Sequence, residues 1–155
     1  MSLRLKVNGE DQVSNSDPSS PLVDVLREEF FLTGAKPVCR EGFCGACMVL
    51  LDGKPVVSCL MPAGLAAGGD IRTVEALAPG GDLSPLQGAL EQHDVVQCGM
   101  CFPGVVISLT SYLEHTNNPN REDMKAALVG NICRCTGYER ILDAALSLVA
   151  PGEAR

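Results

Sequence analysis

Residues 39–47 read Cys-Arg-Glu-Gly-Phe-Cys-Gly-Ala-Cys, and this stretch decides how the first half of the chain is interpreted. It places three thiols, at Cys39, Cys44 and Cys47, on one short loop that also holds two glycines. A fourth thiol, Cys59, follows on a separate segment. Thiolates are strong ligands for soft and borderline metals, so the loop predicts a metal site that it wraps and that the fourth thiol closes.

The second half of the chain holds the other four cysteines in a different pattern, C-x2-C followed much later by C-x-C. All eight cysteines therefore fall into two groups of four. Two four-ligand groups in one chain predict two metal centres in series, and in iron–sulfur form such a series indicates electron transfer. The second group consists of Cys98, Cys101, Cys133 and Cys135.

The composition is typical of a globular, acidic chain. Its 155 residues are 46% hydrophobic with a mean hydropathy of +0.15, which suffices for one ordinary domain or two small ones. The formal net charge is −7 and the pI is about 4.7. Because nucleic acid and anionic membrane surfaces attract basic groups, we expect neither as a partner.

The N-terminal segment indicates a strand rather than a targeting signal. Residues 1–10 alternate polar and apolar residues and reach a turn at Asn8-Gly9, unlike the apolar core of a signal peptide. The sequence contains no twin-arginine motif and no apolar run of about 18 residues, the length of a membrane span. We therefore expect a cytoplasmic protein without membrane insertion. In that reducing compartment, eight cysteines indicate metal or redox chemistry rather than disulfides.

The spacing of the cysteines separates the candidate metals. The C-x4-C-x2-C pattern with a distant fourth cysteine is that of plant-type [2Fe–2S] sites, whereas zinc ribbons usually pair two C-x2-C units. The spacing of the first group therefore favours a [2Fe–2S] cluster over zinc. The spacing of the second group also favours a [2Fe–2S] cluster, but it discriminates less strongly against zinc. His93 and His115 are the only histidines, and neither lies in a Cys-x-His or Cys-x2-His pair, so a Rieske centre is excluded.

Three glycines beside the cysteines are predicted to bring the backbone close to a cluster. Gly42, Gly45 and Gly99 lack a Cβ, so they can adopt a positive φ and point N–H groups at sulfur. Such hydrogen bonds stabilise the more negative reduced state and raise the reduction potential. The alternative is that these glycines only mark turns.

A change of hydrophobic period in the middle of the chain predicts two domains. Before it, alternating residues predict a hairpin of strands 3–7 and 11–13 around Asn8-Gly9. Two hairpins, one helix and a last strand predict a small α+β domain over residues 1–76. The other elements of this domain are a helix at 21–33, a second hairpin at 48–51 and 55–59, and a strand at 71–74.

Beyond residue 76 the strand pattern stops and helical spacing follows. Residues 78–82 are rich in turn formers and predict a linker, and Ser84-Pro85 has the composition of a helix start. Four helices predict an all-α four-helix bundle over residues 77–155. Both cysteine pairs come just before a helix, and helix N-termini favour thiolates, so we expect a cluster between two helix starts. The predicted helices span residues 85–92, 103–115, 121–129 with Asn120 as cap, and 139–149.

Three motifs in the chain resemble those of a known family. Together they resemble the small [2Fe–2S] iron–sulfur subunit of the xanthine oxidase family of molybdenum hydroxylases, the type found in carbon monoxide dehydrogenases, aldehyde oxidoreductases and N-heterocycle dehydrogenases. The resemblance covers nearly the whole chain and implies a plant-type ferredoxin-like β-grasp domain followed by a four-helix bundle. The motifs are Cys39-x4-Cys44-Gly-Ala-Cys47, Gln97-Cys98-Gly-x-Cys101-x-Pro-Gly104 and Gly130-Asn-x-Cys133-Arg-Cys135-Thr-Gly-Tyr138.

The resemblance also implies partners and a direction of electron flow. A large subunit would bind the molybdopterin cofactor with its molybdenum, and a medium subunit would bind FAD, in a heterotrimer or a dimer of heterotrimers. The second cluster would lie next to the pterin and the first nearer the flavin. Gln97 and Cys135 are the implied hydrogen-bonding contacts to the molybdopterin, and no catalytic residue is expected on this chain.

Two positions depart from the family pattern without removing a ligand. Val38 stands where glycine is common, and Phe102 stands where a small hydroxyl residue is frequent. Either change can alter packing or the surface beside a cluster.

From the residues alone, two other functions stay open. One is a stand-alone two-cluster ferredoxin-like carrier that shuttles electrons between partners. The other is a zinc-stabilised adaptor without a redox role. Co-purification with larger subunits separates the first from the subunit prediction, and the colour of the protein separates the second.

Overall fold

The computed structural model describes residues 2–149, and its first half is built on a five-stranded mixed sheet. The strands are β1 (Leu3–Val7), β2 (Glu10–Ser14), β3 (Met48–Leu51), β4 (Lys54–Val57) and β5 (Asp70–Arg72). Their order is β2-β1-β5-β3-β4, in which β1 and β5 are parallel and the other neighbours are antiparallel. Asn8 and Gly9 have φ values of 55° and 83°, as the predicted type I′ turn requires. Met1 and residues 150–155, which the predicted domain ranges include, lie outside the described residues.

One helix, α1 (Leu22–Glu28), packs its apolar face against this sheet in a shared hydrophobic cluster. It ends well before the predicted residue 33. Phe31 has a φ of 56°, which a continuing right-handed helix cannot contain. The Arg27 guanidinium donates to the carbonyl of Ala35 at 2.9 Å, so the segment after α1 folds back along the helix instead of extending it.

The second half of the chain is helical. In the described residues it comprises α2 (Pro85–Gln92), α3 (Phe102–His115), α4 (Arg121–Ala127) and α5 (Glu139–Leu146). Each helix contacts two others, in the cyclic order α2, α3, α4, α5, around a second hydrophobic cluster. Two predicted caps are confirmed, because Ser84 accepts the N–H of Gln87 and Asn120 accepts the N–H of Asp123. No helix within residues 2–149 is both long and apolar enough to cross a membrane.

Some element ends differ from the predicted ones. β5 ends at Arg72 because Thr73 turns away to bond with Asn8, and a 3₁₀ turn, Val74–Leu77, follows. Helices α4 and α5 stop before the predicted residues 129 and 149. The prediction ran too far because the apolar spacing in the sequence continues beyond the last helical turn. Two further 3₁₀ turns, at Ala63–Ala66 and Pro79–Gly81, have no hydrophobic period that predicts them.

Helix α3 joins the two halves, because it packs against β3 and β4 as well as against its helical neighbours. The buried Ser108 hydroxyl of α3 lies 2.9 Å from Sδ of Met48 in β3. The same hydroxyl lies 2.7 Å from Oδ1 of Asn131, which is also buried. An ion pair between Arg72 and Glu114 crosses the same boundary nearer the surface. The halves are therefore held together by buried polar contacts in addition to apolar packing.

Candidate metal centres

The first group of thiols surrounds the loop before β3. Arg40, Gly42 and Gly45 in this loop have φ values of 55°, 79° and 71°. Three left-handed residues so close together make the backbone curl around a centre rather than run past it. Cys39 is half-buried, and the other thiols of this group, Cys44, Cys47 and Cys59, are buried.

The thiols of this group affect one another's ionisation. Cys44 lowers the pKa of Cys39, whereas Cys47 and Cys39 raise that of Cys59. Sγ of Cys39 accepts the backbone N–H of Glu41 at 3.4 Å. This hydrogen bond is the main reason that the pKa of Cys39 is lowered to about 6. This thiol is therefore readily converted to the thiolate that binds metal.

Cys59 has the opposite tendency. Burial is the main reason that its pKa rises to about 11, and the contact with Cys47 adds to the effect. The backbone N–H of Gly42 acts in the other direction and favours the thiolate. Because metals bind the thiolate, the proton of Cys59 leaves when a cation takes its place.

The second group of thiols is formed by two distant segments. Cys98 and Cys101 come from one segment, and Cys133 and Cys135 come from the other. A small cavity is lined by all four thiols, with Phe102 as part of its apolar wall. Cys98 and Cys135 are exposed whereas Cys133 is buried, so one edge of this group reaches the surface.

Burial and hydrogen bonds oppose each other at the second group. The backbone N–H of Met100 is the main reason that the pKa of Cys98 is lowered. Burial raises the pKa of Cys101 to about 12, although Cys101 is the N-cap of α3. Burial also disfavours ionisation of Cys133, but hydrogen bonds led by those of Thr136 outweigh it and lower the pKa. At Cys101 a backbone hydrogen bond favours the thiolate, as expected at a helix start, but desolvation outweighs it.

The donor chemistry of both groups fits a [2Fe–2S] cluster. Each group offers four thiols, those of the second group line one small cavity, and a backbone N–H donates to a sulfur of the first. In the described part of the chain, no three His, Cys, Asp or Glu side chains converge as ligands of a single metal ion would. When bound, a [2Fe–2S] cluster supplies reversible electron uptake at a potential set by its protein surroundings.

The three predicted glycines adopt the expected backbone conformation. Gly42, Gly45 and Gly99 all have positive φ. Gly45 makes a different close approach, because a Cβ there would lie 2.2 Å from the carbonyl oxygen of Gly130. Its missing side chain makes room for the second half of the chain. The approach of all three glycines to a cluster stays a prediction.

Gln97 and Cys135, the two residues expected to meet molybdopterin, lie together at the surface. Nε2 of Gln97 donates a hydrogen bond to the carbonyl of Cys135 at 3.2 Å. Both residues are exposed, and the nearby Val96 and Met100 are 41% and 47% exposed. The structure thus forms one exposed face beside the second group of thiols.

Tyr138 fixes the second cysteine segment in a way that sequence reasoning missed. Its hydroxyl accepts the N–H of Cys133 at 2.9 Å and donates to the carbonyl of Asn131 at 3.1 Å. Its own φ is 70°, which is uncommon for a bulky residue. The only signal in the sequence was its place at the end of the third motif, and no spacing rule converts that place into these contacts.

Gly104 and Ile132, also without a predicted role, connect the two groups of thiols. The N–H of Ile132, the residue before Cys133, donates to the carbonyl of Cys44 at 2.9 Å. A Cβ on Gly104 would lie 2.0 Å from the carbonyl oxygen of Gly45. One backbone hydrogen bond and one direct backbone contact therefore join the two candidate centres.

Two four-thiol groups, one on a mixed sheet and one among helices, define a two-centre iron–sulfur protein. The comparisons with known families agree with this class. A family model described as "2Fe-2S iron-sulfur cluster binding domain" matches residues 5–84. A second, described as "[2Fe-2S] binding domain", matches residues 73–146.

Individual relatives define the family more closely. The nicotine 6-hydroxylase small subunit of Paenarthrobacter nicotinovorans is 46% identical over 149 residues, which cover 96% of this chain and 88% of that one. The nicotinate dehydrogenase small FeS subunit of Eubacterium barkeri is 41% identical, with coverage of 91% and 90%. A chain of quinoline 2-oxidoreductase from Pseudomonas putida 86 superposes with a TM-score of 0.90 at 41% identity, covering 94% of this chain and 90% of that one. The chain belongs to the small iron–sulfur subunits of the xanthine oxidase family of molybdenum hydroxylases.

Family membership confirms the function and cofactors predicted from the sequence. The chain is an electron-transfer subunit of a molybdenum-dependent oxidoreductase and carries two [2Fe–2S] clusters. The ferredoxin-like nature of the first half is confirmed as well.

Proposed function

We propose that each group of four thiols binds one [2Fe–2S] cluster, so that electrons cross the chain through two centres in series. The observation that carries this proposal is that the fold brings distant thiols together, since Cys98, Cys101, Cys133 and Cys135 line one small cavity. The first cluster is assigned to Cys39, Cys44, Cys47 and Cys59, and the second to Cys98, Cys101, Cys133 and Cys135.

Electrons enter, in this proposal, at the second group. Cys98, Cys135 and Gln97 are exposed on one face, with apolar Val96 and Met100 beside them. An exposed apolar surface around polar groups is typical of a protein contact. That face meets the large subunit, where Gln97 and Cys135 hydrogen-bond the molybdopterin. The molybdenum centre of the large subunit is then the electron source.

Electrons leave near the first group. Val38, Phe43 and Leu60, which lie next to Cys39, Cys44 and Cys59 in the chain, are 54%, 54% and 57% exposed. Large apolar side chains in water beside a redox site favour a second contact surface. We assign this surface to FAD on a medium subunit or to an external acceptor. Val38 belongs to it, which gives its departure from the family pattern a place in the contact.

The proposed assembly is a heterotrimer or a dimer of heterotrimers, located in the cytoplasm. The relatives named as small subunits support an assembly with larger chains. Within this chain, we propose a ferredoxin-like domain at residues 1–76 and a four-helix bundle at 77–155. The cyclic contacts of α2–α5 support the bundle, and the overlap of the two family matches, residues 73–84, is consistent with the boundary.

The names of the relatives favour an N-heterocycle as substrate of the complex. Two relatives are named for nicotine and nicotinate, and the superposed structure is named for quinoline. All three compounds are nitrogen heterocycles. We propose that the complex hydroxylates a compound of this class in the large subunit, while this chain removes the electrons.

Affinity purification of this chain after expression from its native gene neighbourhood tests the proposal. We expect a large and a medium subunit to co-purify, and two distinguishable [2Fe–2S] signals in the EPR spectrum of the reduced complex. N-heterocycles should reduce both [2Fe–2S] clusters and so produce both EPR signals, whereas aldehydes and carbon monoxide should not. A coloured chain that purifies alone would support the stand-alone carrier, and a colourless zinc-containing chain would support the adaptor.

A further inference from the structure

The hydroxyl of Thr136 lies against a buried cysteine of the second group. Oγ1 of Thr136 is 3.0 Å from Sγ of Cys133, a hydrogen-bonding distance when sulfur is one partner. Cys133 is 7% exposed, so water competes little for this contact. Thr136 itself is half-buried and immediately follows Cys135.

The surroundings of Thr136 determine which atom donates. Oγ1 accepts the backbone N–H of Tyr138 at 3.2 Å, which leaves the hydroxyl proton available for another partner. Cys133 as a metal ligand is a thiolate without a proton, so only the hydroxyl can donate in that contact. Tyr138 reaches Thr136 through a left-handed backbone with φ of 70°, a conformation that costs free energy and is held here by its own hydroxyl contacts.

This contact has no counterpart at the first group. There, the hydrogen bond to sulfur comes from a backbone N–H, that of Glu41 to Cys39 at 3.4 Å. Among residues 2–149, no other side-chain hydroxyl lies within hydrogen-bonding distance of a cysteine sulfur. Thr136 is therefore a side-chain donor that a single substitution can remove without changing the backbone.

We propose that the Thr136 hydroxyl donates a hydrogen bond to Sγ of Cys133 and thereby raises the reduction potential of the second cluster. The proposal rests on the assignment of Cys133 as a ligand made under the proposed function. One-electron reduction makes the site more negative by one charge, and a hydrogen bond to a buried sulfur stabilises that state more than the oxidised one. No covalent bond changes and no proton is transferred, so Thr136 is a positioning residue that tunes the centre.

EPR-monitored redox potentiometry of the purified complex tests the proposal, with dithionite as the electron donor. In Thr136→Val, which keeps the shape but lacks the hydroxyl, the reduced-to-oxidised ratio of the second cluster at a fixed potential should fall about tenfold. That change equals a shift of about −59 mV for a one-electron couple. Thr136→Ser, which keeps the hydroxyl, should retain the wild-type potential. The first cluster is the internal control and should not shift in either variant.

Two outcomes would overturn the inference. One is a Thr136→Val complex with both EPR signals and an unchanged second potential. The other is a Thr136→Ser complex that shifts as far as Thr136→Val, because the methyl group would then be responsible. If Thr136→Val fails to incorporate the second cluster, Thr136→Ala is measured instead. Loss of the second cluster from the Val, Ala and Ser variants alike would show that Thr136 has a structural role, which contradicts the inference. A wrong ligand assignment gives a separate result, since Cys133→Ala would then retain the second signal.

Discussion

The two groups of thiols reach the same ligand set by different means. The first takes three thiols from residues 39–47 and receives backbone N–H donors from the same loop. The second joins residues 98–101 to residues 133–135 and is held by the side chains of Tyr138 and Thr136. One site is local and built by the backbone, whereas the other depends on helix packing and on side chains. Substitutions of non-cysteine side chains should therefore disturb the second site more than the first.

The largest expected effect is the loss of one centre at a time. Cys44→Ala should abolish the EPR signal of the first cluster and largely spare the second, because the ligands of the two groups do not mix. Cys101→Ala should do the reverse, so each variant is the control for the other. Electron delivery from substrate to the physiological acceptor should be lost in both.

Steady-state assays with the physiological acceptor check the series arrangement directly. Normal turnover in Cys44→Ala would contradict a pathway through both centres. An artificial acceptor that takes electrons near the second cluster should retain activity in Cys44→Ala but not in Cys101→Ala.

The next largest effect is expected where the two halves touch. In Gly104→Ala the new Cβ would lie 2.0 Å from the Gly45 carbonyl oxygen and 2.9 Å from its carbonyl carbon, both backbone atoms that cannot move aside cheaply. We expect the free energy of unfolding to fall by about 3 kcal/mol or more. Thermal unfolding of the purified complex, followed by visible circular dichroism of the clusters, measures it, and both centres should be affected.

Gly88→Ala is the matched control for that substitution. Gly88 lies inside α2, and a Cβ there meets no atom within 4 Å. Alanine in a helix interior should increase stability by about 0.5–1 kcal/mol. Equal destabilisation by both substitutions would mean that the contact between Gly104 and Gly45 is not tight in solution.

A smaller effect that is specific to the second centre is expected from Tyr138→Phe. This substitution leaves the N–H of Cys133 and the carbonyl of Asn131 without their hydroxyl partner. The free energy of unfolding should fall by about 2 kcal/mol as a result. We expect a broadened second EPR signal and an unchanged first one. Tyr112→Phe removes a hydroxyl that accepts the N–H of Asn120 at 3.0 Å, far from the thiols, and should alter neither signal.

The smallest effect is expected at the start of α2. Ser84→Ala removes the capping box formed with Gln87 and should cost about 1 kcal/mol. Both EPR signals should stay as in the wild type, since neither group of thiols lies on α2. A changed signal in this variant would show that the centres respond to general loss of stability, and the site-specific interpretation of Tyr138→Phe would fail.

Local patterns account for what could be predicted from the sequence. Asn8-Gly9 defines the first hairpin, Ser84-Pro85 begins α2, and cysteine spacing groups the thiols, because each depends on residues close together in the chain. The predicted end of α1 was wrong because the observed end depends on two tertiary features. Arg27 donates to the carbonyl of Ala35, and Phe31 has a left-handed backbone conformation. Neither is a property of helical period.

The parts of the sites that escaped prediction are contacts between distant segments. Gly45 reads as a turn or cluster glycine, but its missing Cβ makes room for Gly130, 85 residues further along. The raised pKa of Cys101 follows from burial beneath neighbouring elements, which outweighs its place at a helix start. Tertiary packing sets both, and a single sequence without its fold contains no direct measure of packing.

The hydrogen bond from Ile132 to the carbonyl of Cys44 means that the ferredoxin-like half is not an exchangeable module. A graft from an unrelated ferredoxin would have to present a free carbonyl at the second ligand and a glycine after it, or the gap that an electron must tunnel through would widen. The spacing of the two thiol groups depends on this hydrogen bond and on the close backbone approach of Gly104 to Gly45. An engineer who wishes to rewire this chain must therefore redesign the peptide segment between residues 130 and 133 together with any new cluster domain.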